Sequence, residues 1–281
     1  MDAPLQSFDL LAQPGGLEAF ARANGFAYAA TAEPPALGDS LWEQATSGVV
    51  RDRISGTDWE LGRITGGSRS ATSVEQRGGF TVTKTVSVST PERSRNIGYF
   101  AMTLPRRLPQ MVLDARSNDR GPFSSLIHRP SEHQALSLEG DFDRYFRLYA
   151  PAGYERDALF VFTPDVMALL IDETGDLDVE IRDNRLFVYA PQGFDLDDAR
   201  VWQRLARIRT VLAAQVSRQT ARYVDEQLPG LAFDADTVGA GGRRLRRRLP
   251  MWVWLAIGIP VVVLAVLGTI AAIVLTAVLP R

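Results

Sequence analysis

The chain has 281 residues, 46% of them hydrophobic and 23% charged, the composition of a globular protein able to bury a core. Its net charge of −2 hides a division: residues 1–240 carry 25 basic and 33 acidic side chains, a net −8, whereas residues 241–281 carry six arginines and no acid. An acidic body repels phosphate backbones, which sets nucleic-acid binding aside, and the absence of cysteine excludes disulfide scaffolds, zinc ribbons, thiol catalysis and iron–sulfur clusters.

The N-terminal stretch MDAPLQSFDLLAQPGG has no basic start and no apolar run of signal-peptide length, so no export signal is expected. GGLEAFARANGF predicts a short helix with Leu17, Phe20 and Ala21 on one face and Asn24-Gly25 as its stop. Ala30 to Gly38, with Pro34-Pro35, reads as a loop. Strands are expected in GVVRDRISG, WELGRITGG and GFTVTKTVSVST, where Val82, Val86 and Val88 recur at even spacings, and then in NIGYFAMTLP and QMVLDAR, with Pro105 and Pro109 at bends or edges. TGGSRSATS, residues 65–73, lacks the Gly-Lys-Ser/Thr ending of a phosphate loop and reads as a hairpin tip.

Further along, RYFRLYAP reads as a strand. Residues 152–175 read as helix restarted at Thr163-Pro164, with the threonine as cap and the proline at the first helical position. LDVEIRDNRLFVYAP reads as a hairpin turning at Asp183-Asn184. Residues 195–228 predict a long amphipathic helix on Val201, Leu205, Ile208, Leu212 and Val216, capped by Asp195 or Asp197 and stopped by Pro229-Gly230. Strands and helices mix without regular alternation. The expected class is therefore α+β: a mixed, mainly antiparallel sheet with packing helices, plus one C-terminal transmembrane helix.

Residues 142–191 resemble the distal half of an uncharacterised bacterial family of membrane-anchored proteins of unknown function, and GYFAMTLPRRLPQMVLDAR extends the likeness back to about residue 99. The matching positions are Phe142, Phe146, Thr163, Pro164, Leu186 and Tyr189. These motifs are structural, so the resemblance carries no catalytic residue across. The anchor here is C-terminal rather than upstream of the domain.

GLAFDADTVGAGG, residues 230–242, has the composition of a flexible linker. Beyond it, residues 251–279 run for 29 positions without a charge, where about 20 suffice to cross a hydrocarbon core. One transmembrane helix is expected there, with Trp252 and Trp254 at the headgroup level and Arg243, Arg244, Arg246, Arg247 and Arg248 just before it. The positive-inside rule then puts the N-terminal domain in the cytoplasm, on the inner membrane of a bacterium; thirty arginines against Lys84 alone point to a high-GC bacterial genome. The division expected is a soluble domain over 1–229 with a subdomain break near 120–138, a linker and basic run over 230–250, and the helix over 251–279.

Candidate chemistry is sparse. His128 and His133 are five apart in a loop-like stretch, Asp141 and Asp143 form a chance-grade carboxylate pair, and the acids of DETGDLDVE lack the EF-hand order, so neither a metal nor another cofactor is expected. The reading that follows is a non-catalytic interaction module with an unknown protein partner, bound to the bilayer through 251–279 and to anionic headgroups through the arginine run. A tethered enzyme using Asp141, Asp143 and His128, and a sensor of anionic lipid surfaces, are the alternatives.

Overall fold

The computed structural model describes residues 16–33, 49–65, 68–77, 80–89, 96–119, 130–138, 140–228 and 237–246. The chain divides into two units, residues 1–246 and residues 247–281, the second lying outside the described residues.

The fold is α+β, built on an open, antiparallel seven-stranded sheet. Helix α1 (Gly16–Ala23) leads into β1 (Ala27–Ala32), which pairs with β2 (Val49–Ser55), and β2 pairs with β3 (Trp59–Thr65). β1 corrects the loop expected from Ala30 onward: AYAATA is too small and too uniform to show alternation, and its pairing with β2 makes it a strand. A separate ribbon is formed by β4 (Ser68–Arg77) and β5 (Phe80–Ser89) in register from Ser68↔Ser89 to Arg77↔Phe80, so residues 68–73 lie in a strand and not at a hairpin tip.

The organising element is β6 (Asn96–Ala115), a single strand of 20 residues through both prolines. One edge of β6 pairs along its length with β9 (Asp178–Ala190); the other edge pairs first with β3 and then with β8 (Phe146–Tyr149), which carries the short β7 (Ala135–Leu136). The β6–β9 register shifts between Thr103 and Leu108 and again before Met111. Pro105 and Pro109, which cannot donate to a ladder, fall in this interrupted stretch. Opposite them Asp183 takes φ 51°. Asp183-Asn184 is thus a bulge within one 13-residue strand, not the turn of a hairpin. The bulge resets the side-chain phase: Phe187 and Tyr189 share a face with Glu180 and Arg182, while Val179, Ile181, Leu186 and Val188 share the other.

The face of Val179, Ile181, Leu186 and Val188, the first face of the sheet, is covered by helices. These are α1, α2 (Phe142–Tyr145), α3 (Glu155–Val161), α4 (Pro164–Thr174), and α5 (Ala199–Arg207) continuing through a π-helical turn, Ile208–Ala213, into α6 (Ala214–Thr220). α4 begins with Pro164 at its first turn, as its missing N–H allows, though Thr163 makes no side-chain capping bond. Asp198, rather than Asp195 or Asp197, caps α5 by accepting from the Arg200 amide, and the helix stops at Thr220, short of Pro229. Leu205, Ile208, Leu212 and Val216 are all buried, each contributing about 1.5–3 kcal/mol. The Trp202 ring lies tilted 39° against Phe20 at 4.3 Å, and Phe26, Trp59 and Phe100 continue the aromatic path into the sheet.

Candidate functional site

The second face of the sheet presents Val50, Ile64, Ile97, Tyr99, Ala101, Val112, Tyr149, Phe187 and Tyr189, and residues 237–246 cross it as a strap that adds Leu245 to this cluster. The strap falls where composition indicates flexible linker, and it is fixed at four points. Asp225 holds the start: its Oδ2 accepts from the Gly239 amide at 2.8 Å and from the Tyr154 hydroxyl at 3.0 Å. Burial, with Asp225 beside it, pushes the Tyr154 phenol up to about 12. Close approach needs the glycines, because a Cβ on Gly239 would stand 2.8 Å from Tyr154 Oη and one on Gly242 2.5 Å from Tyr154 Cζ.

Gln110 holds the middle. Its amide donates to the Gly242 carbonyl at 2.9 Å, and its side-chain oxygen accepts from the Leu245 amide at 2.8 Å. Gln134 holds the end, accepting from Arg246 N at 2.9 Å and donating to Arg246 O at 2.8 Å; Ser131 N donates to that same carbonyl at 2.9 Å. The two glutamine side chains thus serve the strap's backbone as a neighbouring strand would. Arg244 adds a pair to Asp183 at 3.2 Å. Arg243, Arg244 and Arg246 stay exposed around the buried Leu245.

Beneath the strap runs a row of polar groups. Glu180, fully buried, accepts from Gln110 Nε2 at 2.6 Å and from the Tyr189 hydroxyl at 3.1 Å. Burial pushes its carboxyl above the usual range, against the pull of Arg182, Gln110 and Tyr189, and raises the Tyr189 phenol as well. Arg182 follows on the same face, 1% exposed, with no hydrogen-bond partner for any of its three guanidinium nitrogens. Burial lowers its pKa despite Glu180 nearby. At one end of the face Arg147 bridges Asp114 at 3.0 Å and Asp119 at 2.6 Å; at the other, Glu60 takes the Tyr99 hydroxyl at 3.3 Å between Arg53 and Arg185.

The residues singled out from sequence separate under this geometry. Asp143 accepts from the Ser137 hydroxyl and, at 3.1 Å, from the Leu138 amide, whereas Asp141 pairs with Arg144 at 3.1 Å. The two do not share a hydrogen bond with each other. His133 lies in a 3-10 turn, and His128 lies outside the described residues. The acids of 172–180 divide: Glu173 pairs with Arg207 and Asp176 with Arg204, but Asp178 is buried against the Ala115 amide and Glu180 lies under the strap. Arg247, Arg248, Trp252, Trp254 and the whole of 251–279 lie outside the described residues. Among the described residues no helix is long and apolar enough to cross a membrane, and no cluster of three His, Asp or Glu could hold a metal ion.

Sequence reasoning did not find Tyr154, Gln110, Gln134, Asp225 or Arg182. The one local signal was the spacing of Gly239 and Gly242, which serves packing as well as it serves flexibility. Glu180 and Arg182 alternate with Val179 and Ile181 as a solvent face would, and only the strap, more than fifty residues on, makes that face an interior. Searches against family models, characterised proteins and solved structures find no match to the chain.

Proposed function

We propose that the chain is a membrane-anchored interaction module, its folded domain held on the cytoplasmic face of a bacterial inner membrane by a helix over 251–279. The observation that carries this reading is the docked strap. It fixes the chain to the sheet as far as Arg246, and residues 247–250 are all that separate Arg246 from the uncharged stretch. Even fully extended, the path from Arg246 to Met251 spans at most about 18 Å. A linker loose from residue 230 would run through residue 250; docking of the strap as far as residue 246 shortens that connection to residues 247–250. Arg243, Arg244 and Arg246 are exposed at that end, where each basic residue near an anionic leaflet adds about 1 kcal/mol. A domain tethered so closely would meet a protein partner near the membrane surface.

The orientation is tested by exploiting the absence of cysteine. A single Ser70→Cys variant, expressed in bacteria, is expected to resist a membrane-impermeant maleimide in intact cells and to label after lysis. Labelling of intact cells would overturn the cytoplasmic placement.

A further inference from the structure

We propose that Arg182 and Arg244 together bind a phosphate group, the chemistry shared by a phospholipid headgroup and a free phosphate. A guanidinium that is 1% exposed and makes no hydrogen bond is a costly group, and such a group in a folded protein calls for a partner from outside the chain. Its nearest carboxylate on the same strand face, Glu180, is already committed to Gln110 and Tyr189 and forms no ion pair with it. Asp183, the next residue, accepts from Arg244 Nη2 at 3.2 Å while Arg244 Nη1 donates to the Arg243 carbonyl, so the proposed ligand would take the remaining N–H groups of that guanidinium.

The placement is set by the strap. Gln110 ties Leu245 to Glu180 on one side of Arg182, and Arg244 reaches Asp183 on the other, so strap and strand bring the two arginines to one place. A planar guanidinium fork matches two phosphate oxygens, and a second arginine completes the recognition of the anion. Arg243 and Arg246 add positive charge to the same ten residues. The phosphate would bridge strand β9 to the strap and lock the latter down. The headgroup source rests on the membrane-anchored reading; the free-phosphate source does not.

The test uses the full chain in nanodiscs, followed by thermal unfolding. In phosphatidylcholine discs, saturating inorganic phosphate, compared with sodium chloride at equal ionic strength, is expected to raise the wild-type midpoint by about 5 °C. Phosphatidylglycerol discs without added phosphate produce a comparable rise if headgroups are the source and none if free phosphate is. Arg182→Met is expected to abolish the rise in every arm, and Arg244→Gln to diminish it. No rise in either arm, or an equal rise in Arg182→Met, would overturn the site. Should Arg182→Met not fold, Arg244→Gln decides, since its side chain is at the surface, and an undiminished rise in that variant contradicts the proposal. Cell-surface labelling of Ser70→Cys would sink the cytoplasmic reading and leave the phosphate arm in force.

Discussion

The two faces of the sheet are covered by different physics. On the first, α5 through α6 lays Leu205, Ile208, Leu212 and Val216 on the strands, and α1, α3 and α4 complete a continuous apolar layer. On the second, the strap contributes one side chain, Leu245, to the cluster, and is held mainly by side-chain amides, a carboxylate and two glycines packed on Tyr154. Apolar cover is strong, tolerant of small shifts and distributed over many contacts. Polar cover is directional, so it can be released by one substitution without unfolding what lies beneath.

That contrast is broken most severely from the helical side. Leu212→Ala, at a fully buried position, is expected to cost about 2–5 kcal/mol of global stability, read as a lowered denaturation midpoint. On the strap side, Gly242→Ala places a methyl group where Tyr154 Cζ stands 2.5 Å away. It is expected to cost about 1–3 kcal/mol, and to raise exchange at the Leu245 and Arg246 amides while leaving β6 protected. Equal loosening of strap and sheet in that variant would show that the two covers are a single cooperative layer.

A pH series sharpens the comparison at the polar row. Burial holds the Glu180 carboxyl above its ordinary 4.5, so the folded state keeps a proton that the unfolded chain has lost. The resulting stability is fully present below about pH 4.5 and fades as pH rises through the folded value. Glu180→Gln is expected to flatten that decline, seen as a shallower fall of the melting midpoint as pH rises above 4.5; an unchanged slope would place the titration elsewhere. The smallest effect belongs to Arg244→Gln without phosphate, where loss of the partly exposed pair to Asp183 is expected to cost less than about 1 kcal/mol.

The difference between the faces also governs what could be read without coordinates. The helix on Val201 to Val216 was legible because its apolar positions recur at helical spacing, and β2, β3, β5 and β8 because β-branched and aromatic residues cluster between turn residues. Asp183-Asn184 misled because turn chemistry reports a local backbone state and not whether the chain reverses: φ 51° serves a bulge as readily as a hairpin. The cap shifted to Asp198 because three nearby aspartates offer the same chemistry, and only the backbone decides among them. The strap was illegible for a deeper reason. Its partners, Gln110, Gln134, Tyr154 and Asp225, lie up to 135 residues away, and none has periodicity to mark it. GAGG reads as freedom until the tyrosine ring it accommodates is known.

Hydrogen exchange at the strap amides tests the account most directly. Gly239 N, Leu245 N and Arg246 N donate to Asp225, Gln110 and Gln134, so in the full chain at neutral pH all three should exchange slowly, well below free-chain rates, although no regular secondary structure contains them. Exchange at free-chain rates would show residues 237–246 to be a loose linker after all, and with it would go the docked strap on which the proposed function rests.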